Sequence, residues 1–188
     1  MPKKKFDERQ RLGKDDSERR NLLPQAYILS LLNIHGNDTI LDVGSEAGYF
    51  TLPLARRTTN TVFTVAIERE TLECIQKQSY ENDIQNITPL QDSITQLSLE
   101  TNSIDRSLIS MALHKVETLK EAFDEMYRVL KPGGRLVVID WIPEPSDPRA
   151  NRIDSGDMQR AAERAGFSLD VITIPSDKVY AIALNKPK

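Results

Sequence analysis

Residues 39–50 read Thr39-Ile40-Leu41-Asp42-Val43-Gly44-Ser45-Glu46-Ala47-Gly48-Tyr49-Phe50. Thr39–Val43 is a short β-branched and apolar run, the composition of a buried strand. It gives way to a turn punctuated by Gly44 and Gly48, then to an apolar-periodic stretch that predicts a helix from about Tyr49 to Arg57. A strand feeding a helix through a glycine turn is the repeating unit of a parallel α/β sheet. Glycines at such a turn let a ligand approach the backbone, and the helix start favours anionic groups. A tight turn with no ligand has the same spacing, so G-x-x-x-G alone does not decide binding. The spacing is not the G-x-G-x-x-G of a dinucleotide site.

Working outward, the alternation repeats. Thr61–Ile67 is a strand by composition, Glu70 to about Asn82 a helix, and Ile87–Leu90 and Asp105–Met111 two more strands. Thr118-Leu119-Lys120-Glu121 has the capping-box pattern. The helix that follows stops at Lys131-Pro132-Gly133-Gly134, because proline cannot continue it and glycine tolerates positive φ. Arg135–Trp141 (RLVVIDW) reads as the strongest strand, and Ser155–Ala165 as a helix closed by Gly166. Ser168–Ile174 and Lys178–Leu184 are joined by Pro175-Ser176-Asp177. That joint is too short for a crossover, so these two strands should be antiparallel. The remaining strands should be parallel, with helices on both faces.

Upstream, Leu22, Leu23, Ala26, Tyr27, Leu29, Leu31 and Leu32 suggest one buried helical face ending near His35–Gly36. Before it, residues 1–21 mix Lys3–Lys5 and Arg9 with Asp7, Glu8, Asp15 and Asp16. They read as a charged arm and a candidate lid, and residues 22–188 as a single domain.

The chain has 188 residues, 28 acidic against 25 basic, for a net charge of −3. That balance gives no electrostatic case for a nucleic-acid partner. One cysteine, Cys74, excludes an internal disulfide and fits a reducing compartment. Two histidines and one cysteine cannot build a zinc site of the usual kind, so no metal is expected. Apolar runs such as Leu136–Ile139 fall far short of the ~20 residues a membrane span needs. The charged N-terminus is no secretory signal, and the expected location is cytoplasmic.

Ile40-Leu41-Asp42-Val43-Gly44-Ser45 with Gly48-Tyr49-Phe50 resembles the first motif of class I S-adenosylmethionine-dependent methyltransferases. Leu113-His114, Tyr127–Leu136 and Ile139-Asp140-Trp141 resemble that family's later segments. The likeness is strongest to the small ubiquinone/menaquinone-methyltransferase type and covers Leu22 to Pro187. It implies a Rossmann-like sandwich around a mostly parallel seven-stranded sheet with an antiparallel C-terminal hairpin. It also implies methyl transfer from S-adenosylmethionine to a small molecule by in-line displacement. Under it, Asp42, Gly44, Ser45, Glu46 and Gly48 would hold the cofactor's methionine end. Ala66, Ile67 and Glu68 would lie at its ribose, Asp92 and Ser93 at its adenine, and Ser110 beside its sulfonium. Tyr49, Trp141 and the Pro143–Pro148 loop would face the acceptor.

Two positions depart from the family pattern. Glu46 stands where the middle glycine of D-x-G-x-G-x-G is usual, adding bulk and charge. Ala66 stands where the family places the acid that bonds both ribose hydroxyls. Losing such a charged hydrogen bond costs roughly 1.5–3 kcal/mol, or about 10- to 150-fold in affinity. Glu68 would lie on the same face about 7 Å further along an unbroken strand. A fold that binds the cofactor weakly or has been repurposed is therefore the alternative to an active enzyme. A nucleotide-dependent oxidoreductase is the remaining one.

Among single residues, His114 follows the fourth strand and is a candidate base on an oxygen or nitrogen nucleophile, or else a packing residue of the loop. Asp140 ends the fifth strand at its carboxyl edge, either acting there or fixing the next loop. Trp141 could stack on the acceptor or pack in the core. His35 reads as a surface turn residue, and Cys74 as a structural thiol on a helix.

Overall fold

A computed structural model describes residues 16–44, 47–144 and 151–188. The N-terminal fifteen residues, Ser45, Glu46 and the loop residues 145–150 lie outside the described set, so the expectations for them stop there.

The chain opens with two short helices, α1 (Asp16–Leu22) and α2 (Gln25–Leu31). The sequence pattern suggests one helix here, and Pro24 is why there are two. Proline disfavours the helical region in the residue before it and lacks a donor; Pro24 becomes the N-cap of α2. α1 also crosses the 21/22 boundary drawn between arm and domain.

Strand β1 (Ile40–Val43) leads through the glycine turn to α3 (Thr51–Ala55), then β2 (Val62–Val65), α4 (Arg69–Glu81) and β3 (Ile87–Leu90). β4 (Ile104–Ser110), a 3-10 turn (Leu113–Lys115), α5 (Leu119–Val129) and β5 (Leu130–Trp141) follow. The chain closes with α6 (Ser155–Arg164), β6 (Ser168–Ser176) and β7 (Val179–Asn185). The seven strands form one sheet in the order β3-β2-β1-β4-β5-β7-β6. β1, β2, β3, β4 and the C-terminal part of β5 pair in parallel, and β7 runs antiparallel to both β5 and β6. The expected mixed sheet with an antiparallel final hairpin is what forms. Its turn is Asp177-Lys178 rather than 175–177, because β6 continues to Ser176.

Several elements are shorter or shifted. α3 loses Tyr49 and Phe50 to the turn, and β2 stops at Val65 rather than Ile67. β4 ends one residue early because Met111 takes a left-handed φ of +53°. β5 begins directly at Leu130, through the Pro-Gly-Gly segment where the sequence suggests only a helix stop. At the start of α5 the Thr118 side chain accepts the Glu121 N–H, one half of the capping box.

Strand side chains alternate between faces, and β5 shows the consequence. Leu136 and Val138 pack with Phe123, Met126 and Met158 of α5 and α6. Val137 and Ile139 pack with Ile28, Leu29 and Leu54 of α2 and α3. A strand buried on both faces needs an unbroken apolar run, and that is what makes RLVVIDW conspicuous. Helices cover both faces, so the carboxyl ends of the parallel strands form the free edge where ligands of such sheets bind.

Candidate active site

At that edge the ends of β1 and β4 nearly touch. Gly44 has φ +83°, and a Cβ built there would lie 2.2 Å from the Ser110 carbonyl oxygen. No side chain fits between them, so glycine is required by both torsion and space. Asp42 is fully buried beneath the turn, and its Oδ2 accepts the Thr51 hydroxyl at 2.7 Å. It thereby ties β1 to the first residue of α3.

A cavity of about 740 Å³ opens beside Gly44 and Ser110. Its walls are Tyr49, Phe50, Met111 and Trp141, with His114 and Lys115 on the 3-10 turn. Leu22 and Leu23 bring α1 across the opening, where Tyr49 Oη donates to the Leu23 carbonyl at 2.8 Å. The Arg19 guanidinium lies 5.1 Å from the centroid of the Tyr49 ring. Asp177 and Lys178 of the β6–β7 turn, with Glu144 and Arg152, complete the rim. Met111, Arg152 and the hairpin turn carry no motif that would mark them in sequence. Leu22 and Leu23 are visible there only as an apolar helical face.

His114 and Asp140, read separately in sequence, meet here. Asp140 Oδ1 lies 2.7 Å from His114 Nδ1, and its Oδ2 accepts the His114 backbone N–H at 3.1 Å. The Trp141 N–H also donates to Asp140 Oδ1, at 2.8 Å. Asp140 is fully buried, while the His114 side chain keeps 18% of its surface exposed. A carboxylate can only accept, so Nδ1 carries the proton of the neutral ring and Nε2 is left as its acceptor. Burial, with the Asp140 and Asp154 carboxylates nearby, raises the Tyr180 phenol well above its usual pKa. Tyr180 therefore stays neutral and donates to the Ile153 carbonyl at 2.9 Å.

The ends of β2 and β3 stand outside this cavity. Ala66 is half-buried after β2, whereas Ile67 is 71% exposed and Glu68 is exposed too. Asp92 is occupied, because it accepts the Ser98 N–H at 2.7 Å and the Ser98 hydroxyl at 3.2 Å. The Ser93 hydroxyl pairs with Thr95 at 2.8 Å. Trp141 lies under Arg152, whose guanidinium carbon is 5.4 Å from the ring centroid. His35 lies near the start of β4, 2.8 Å from an Arg106 nitrogen, and Cys74 is a buried free thiol. Among the described residues no group of His, Cys, Asp or Glu could hold a metal ion, and no helix is long and apolar enough to cross a membrane.

Residues 41–138, more than half of the chain, match the family model described as a methyltransferase domain. The chain belongs to that family. This methyltransferase-family chain is 31% identical over 121 residues to the ubiquinone/menaquinone biosynthesis C-methyltransferase of Rickettsia prowazekii. The match covers 61% of this chain and 48% of that enzyme, so the chain spans about half the length of the curated relatives it matches. In fold it resembles an S-adenosylmethionine-dependent methyltransferase from Aquifex aeolicus, with a TM-score of 0.84 at 20% identity, covering 97% of this chain and 100% of that one. It also resembles the geranyl diphosphate C-methyltransferase of Streptomyces coelicolor, solved with S-adenosyl-L-homocysteine. There the TM-score is 0.80 at 16% identity, over 99% of this chain and 86% of that one.

Proposed function

We propose that this protein transfers a methyl group from S-adenosylmethionine to a small-molecule acceptor. The observation that carries the reading is the Asp140–His114 pair, which opens onto the cavity beside the Gly44–Ser110 contact. The family match and the cofactor-dependent enzymes that share the fold support the cofactor. A relative named for quinone biosynthesis supports a small organic acceptor.

The site fits the cofactor at its methionine end. Gly44 and Ser110 both line the cavity at the ends of β1 and β4, where that end of the cofactor would lie. When bound there, S-adenosylmethionine supplies a methyl group made electrophilic by its sulfonium. The chain's own residues do the rest. Tyr49, Phe50, Met111 and Trp141 enclose the acceptor and exclude water. His114 Nε2 accepts the acceptor's proton as its nucleophile attacks, and Asp140 holds the ring in the tautomer that can do so. Placing the reacting groups together supplies the remaining acceleration.

A second reading, a protein of this fold with weakened cofactor binding, is favoured by Ala66 and by the commitment of Asp92 to Ser98. Calorimetry separates the two. The enzyme reading expects S-adenosylhomocysteine to bind with a Kd in the micromolar range and labelled methyl to reach an acceptor in a metabolite screen. Absence of heat or thermal shift at millimolar ligand would overturn it in favour of the second.

A further inference from the structure

We infer that Met111 is a positioning residue for the His114–Asp140 pair: its left-handed backbone turns the chain off β4, so that His114 comes back to the end of β5. The inference rests on the reading of His114 as the base. Among the described residues Asn33, Asp83, Asn102 and Met111 are the non-glycine positions with a left-handed φ. Asparagine and aspartate are the side chains that enter this region with least strain. Met111, at +53°, is the exception, and it lines the cavity beside Ser110 and His114. An observed torsion of this kind at a site is grounds for asking what it positions.

The packing shows what the torsion does. Along an unbroken strand Met111 would point the same way as Ile109. Ile109 belongs to the apolar cluster of Phe123 and Met126, on the α5 face of the sheet. Met111, only 8% exposed, belongs instead to the cluster of Ile28, Phe50 and Ile139 on the opposite face. Ala112 and Leu113 then both pack on the side of Ile109. The strand alternation is therefore broken at Met111, and the chain after it turns toward α5.

The bend is fixed on both sides. The Met111 N–H donates to the Ile139 carbonyl at 2.9 Å, extending the β4–β5 pairing by one residue. Beyond it Ala112 lies against Gly44, its Cβ 3.1 Å from where a Cβ on that glycine would stand. The Lys115 N–H donates to the Ala112 carbonyl at 3.1 Å and closes the 3-10 turn. Ser110 is level with Ile139, so a strand that ran on would leave His114 level with Pro143, about 10 Å past residue 111. His114 instead meets Asp140, through its backbone N–H at 3.1 Å and its Nδ1 at 2.7 Å. A glycine would take the torsion without strain; methionine adds a buried side chain that anchors the bend.

Two substitutions separate the torsion from the side chain. Met111→Ile keeps an apolar side chain of similar size, but its branched Cβ opposes a left-handed φ. Met111→Gly gives up the side chain and takes the torsion freely. Long-range nitrogen–proton NMR of the full chain, with no ligand added, reads the outcome at His114. Wild type and Met111→Gly should both carry the ring proton on Nδ1, whereas Met111→Ile should show the tautomer mixture of a solvated histidine. Retention of the Nδ1 proton in Met111→Ile, or its loss in Met111→Gly, would overturn the positioning role and leave the reading of His114 as the base standing. The Met111→Gly spectrum keeps the role open to refutation where Met111→Ile does not fold. A wild-type protein with no affinity for S-adenosylhomocysteine would overturn both, and calorimetry tells that result apart from a failure confined to residue 111.

Discussion

Asp140 and His114 are 26 residues apart in sequence and 2.7 Å apart at Oδ1 and Nδ1. β4 and β5 are neighbours in the sheet, so the residues that follow Ser110 and Ile139 emerge at one edge. The same carboxylate accepts two backbone N–H groups, and so locks the loop as well as the ring. Long-range nitrogen–proton NMR spectra should therefore show neutral His114 with its proton on Nδ1. Asp140→Ala should release the ring to the tautomer mixture of a solvated histidine. It should also lower stability by about 2 kcal/mol or more, since two half-buried backbone N–H groups and the ring N–H lose their acceptor. His114→Ala should leave S-adenosylhomocysteine affinity within about twofold. Methyl transfer should fall by roughly 100-fold or more. A proton on Nε2 in the wild-type ring would contradict the arrangement.

The contact between Gly44 and Ser110 makes a contrasting pair of substitutions. Gly44→Ala places a Cβ 2.2 Å from a carbonyl oxygen at a φ of +83°. Left-handed torsion alone costs roughly 1–3 kcal/mol, and the clash must be relieved by parting β1 from β4. Gly36→Ala meets nothing within 4 Å, and its backbone is not left-handed. It should be neutral or stabilise by up to about 1 kcal/mol, by restricting the unfolded chain. Urea denaturation of both variants checks the pair. A well-tolerated Gly44→Ala would mean the strand ends are less closely set.

These contacts also show what was legible in sequence. RLVVIDW announces itself because burial on both faces permits no polar residue in its middle. The short link between the last two β-rich runs requires an antiparallel hairpin whatever else the chain does. Asp140 and His114 each attract attention as polar residues at strand ends, yet their pairing depends on strand order, which no local pattern encodes. Asp92 shows a related limit: its partner Ser98 is local, but nothing in the spacing says that the loop closes on itself. Pro24 was readable as a helix breaker, but the apolar pattern runs through it and hides the break. Met111 shows no sign of its positive φ, because methionine has no preference for that torsion.

One of the bonds that hold the end of α1 over the cavity can be removed cleanly. Tyr49 Oη donates to the Leu23 carbonyl, while Gln25 Nε2 donates to the Tyr49 carbonyl at 2.6 Å. Tyr49→Phe keeps the second bond and the ring, and loses the first. A net hydrogen bond is worth about 1 kcal/mol, which is about fivefold in an opening equilibrium. Amide exchange over residues 16–23 should quicken by about that factor, while β4 and β5 stay protected. Uniform quickening across the sheet would show instead that α1 opens only with the whole fold.

Acid sensitivity should concentrate where Glu125 and Arg128 of α5 clamp the segment before β4. Glu125 Oε1 accepts the Leu97 N–H at 2.7 Å, and Arg128 donates to both carboxylate oxygens at 2.7 Å. Arg128 also reaches the carbonyls of Leu97 and Leu99. The Arg128 hydrogen bonds, helped by the Leu97 N–H and opposed by burial, lower the Glu125 pKa from its ordinary 4.5. Between those two values the unfolded chain binds the extra proton and the folded chain does not. The clamp's contribution is therefore complete above about 4.5 and lost as pH falls through the lowered folded value. Glu125→Gln keeps the shape but cannot titrate, so its stability should fall less steeply with acid. Urea midpoints of the two proteins, taken from about pH 7 to about pH 3, should converge at the acid end. Parallel curves would show that the clamp holds equally well when Glu125 is protonated.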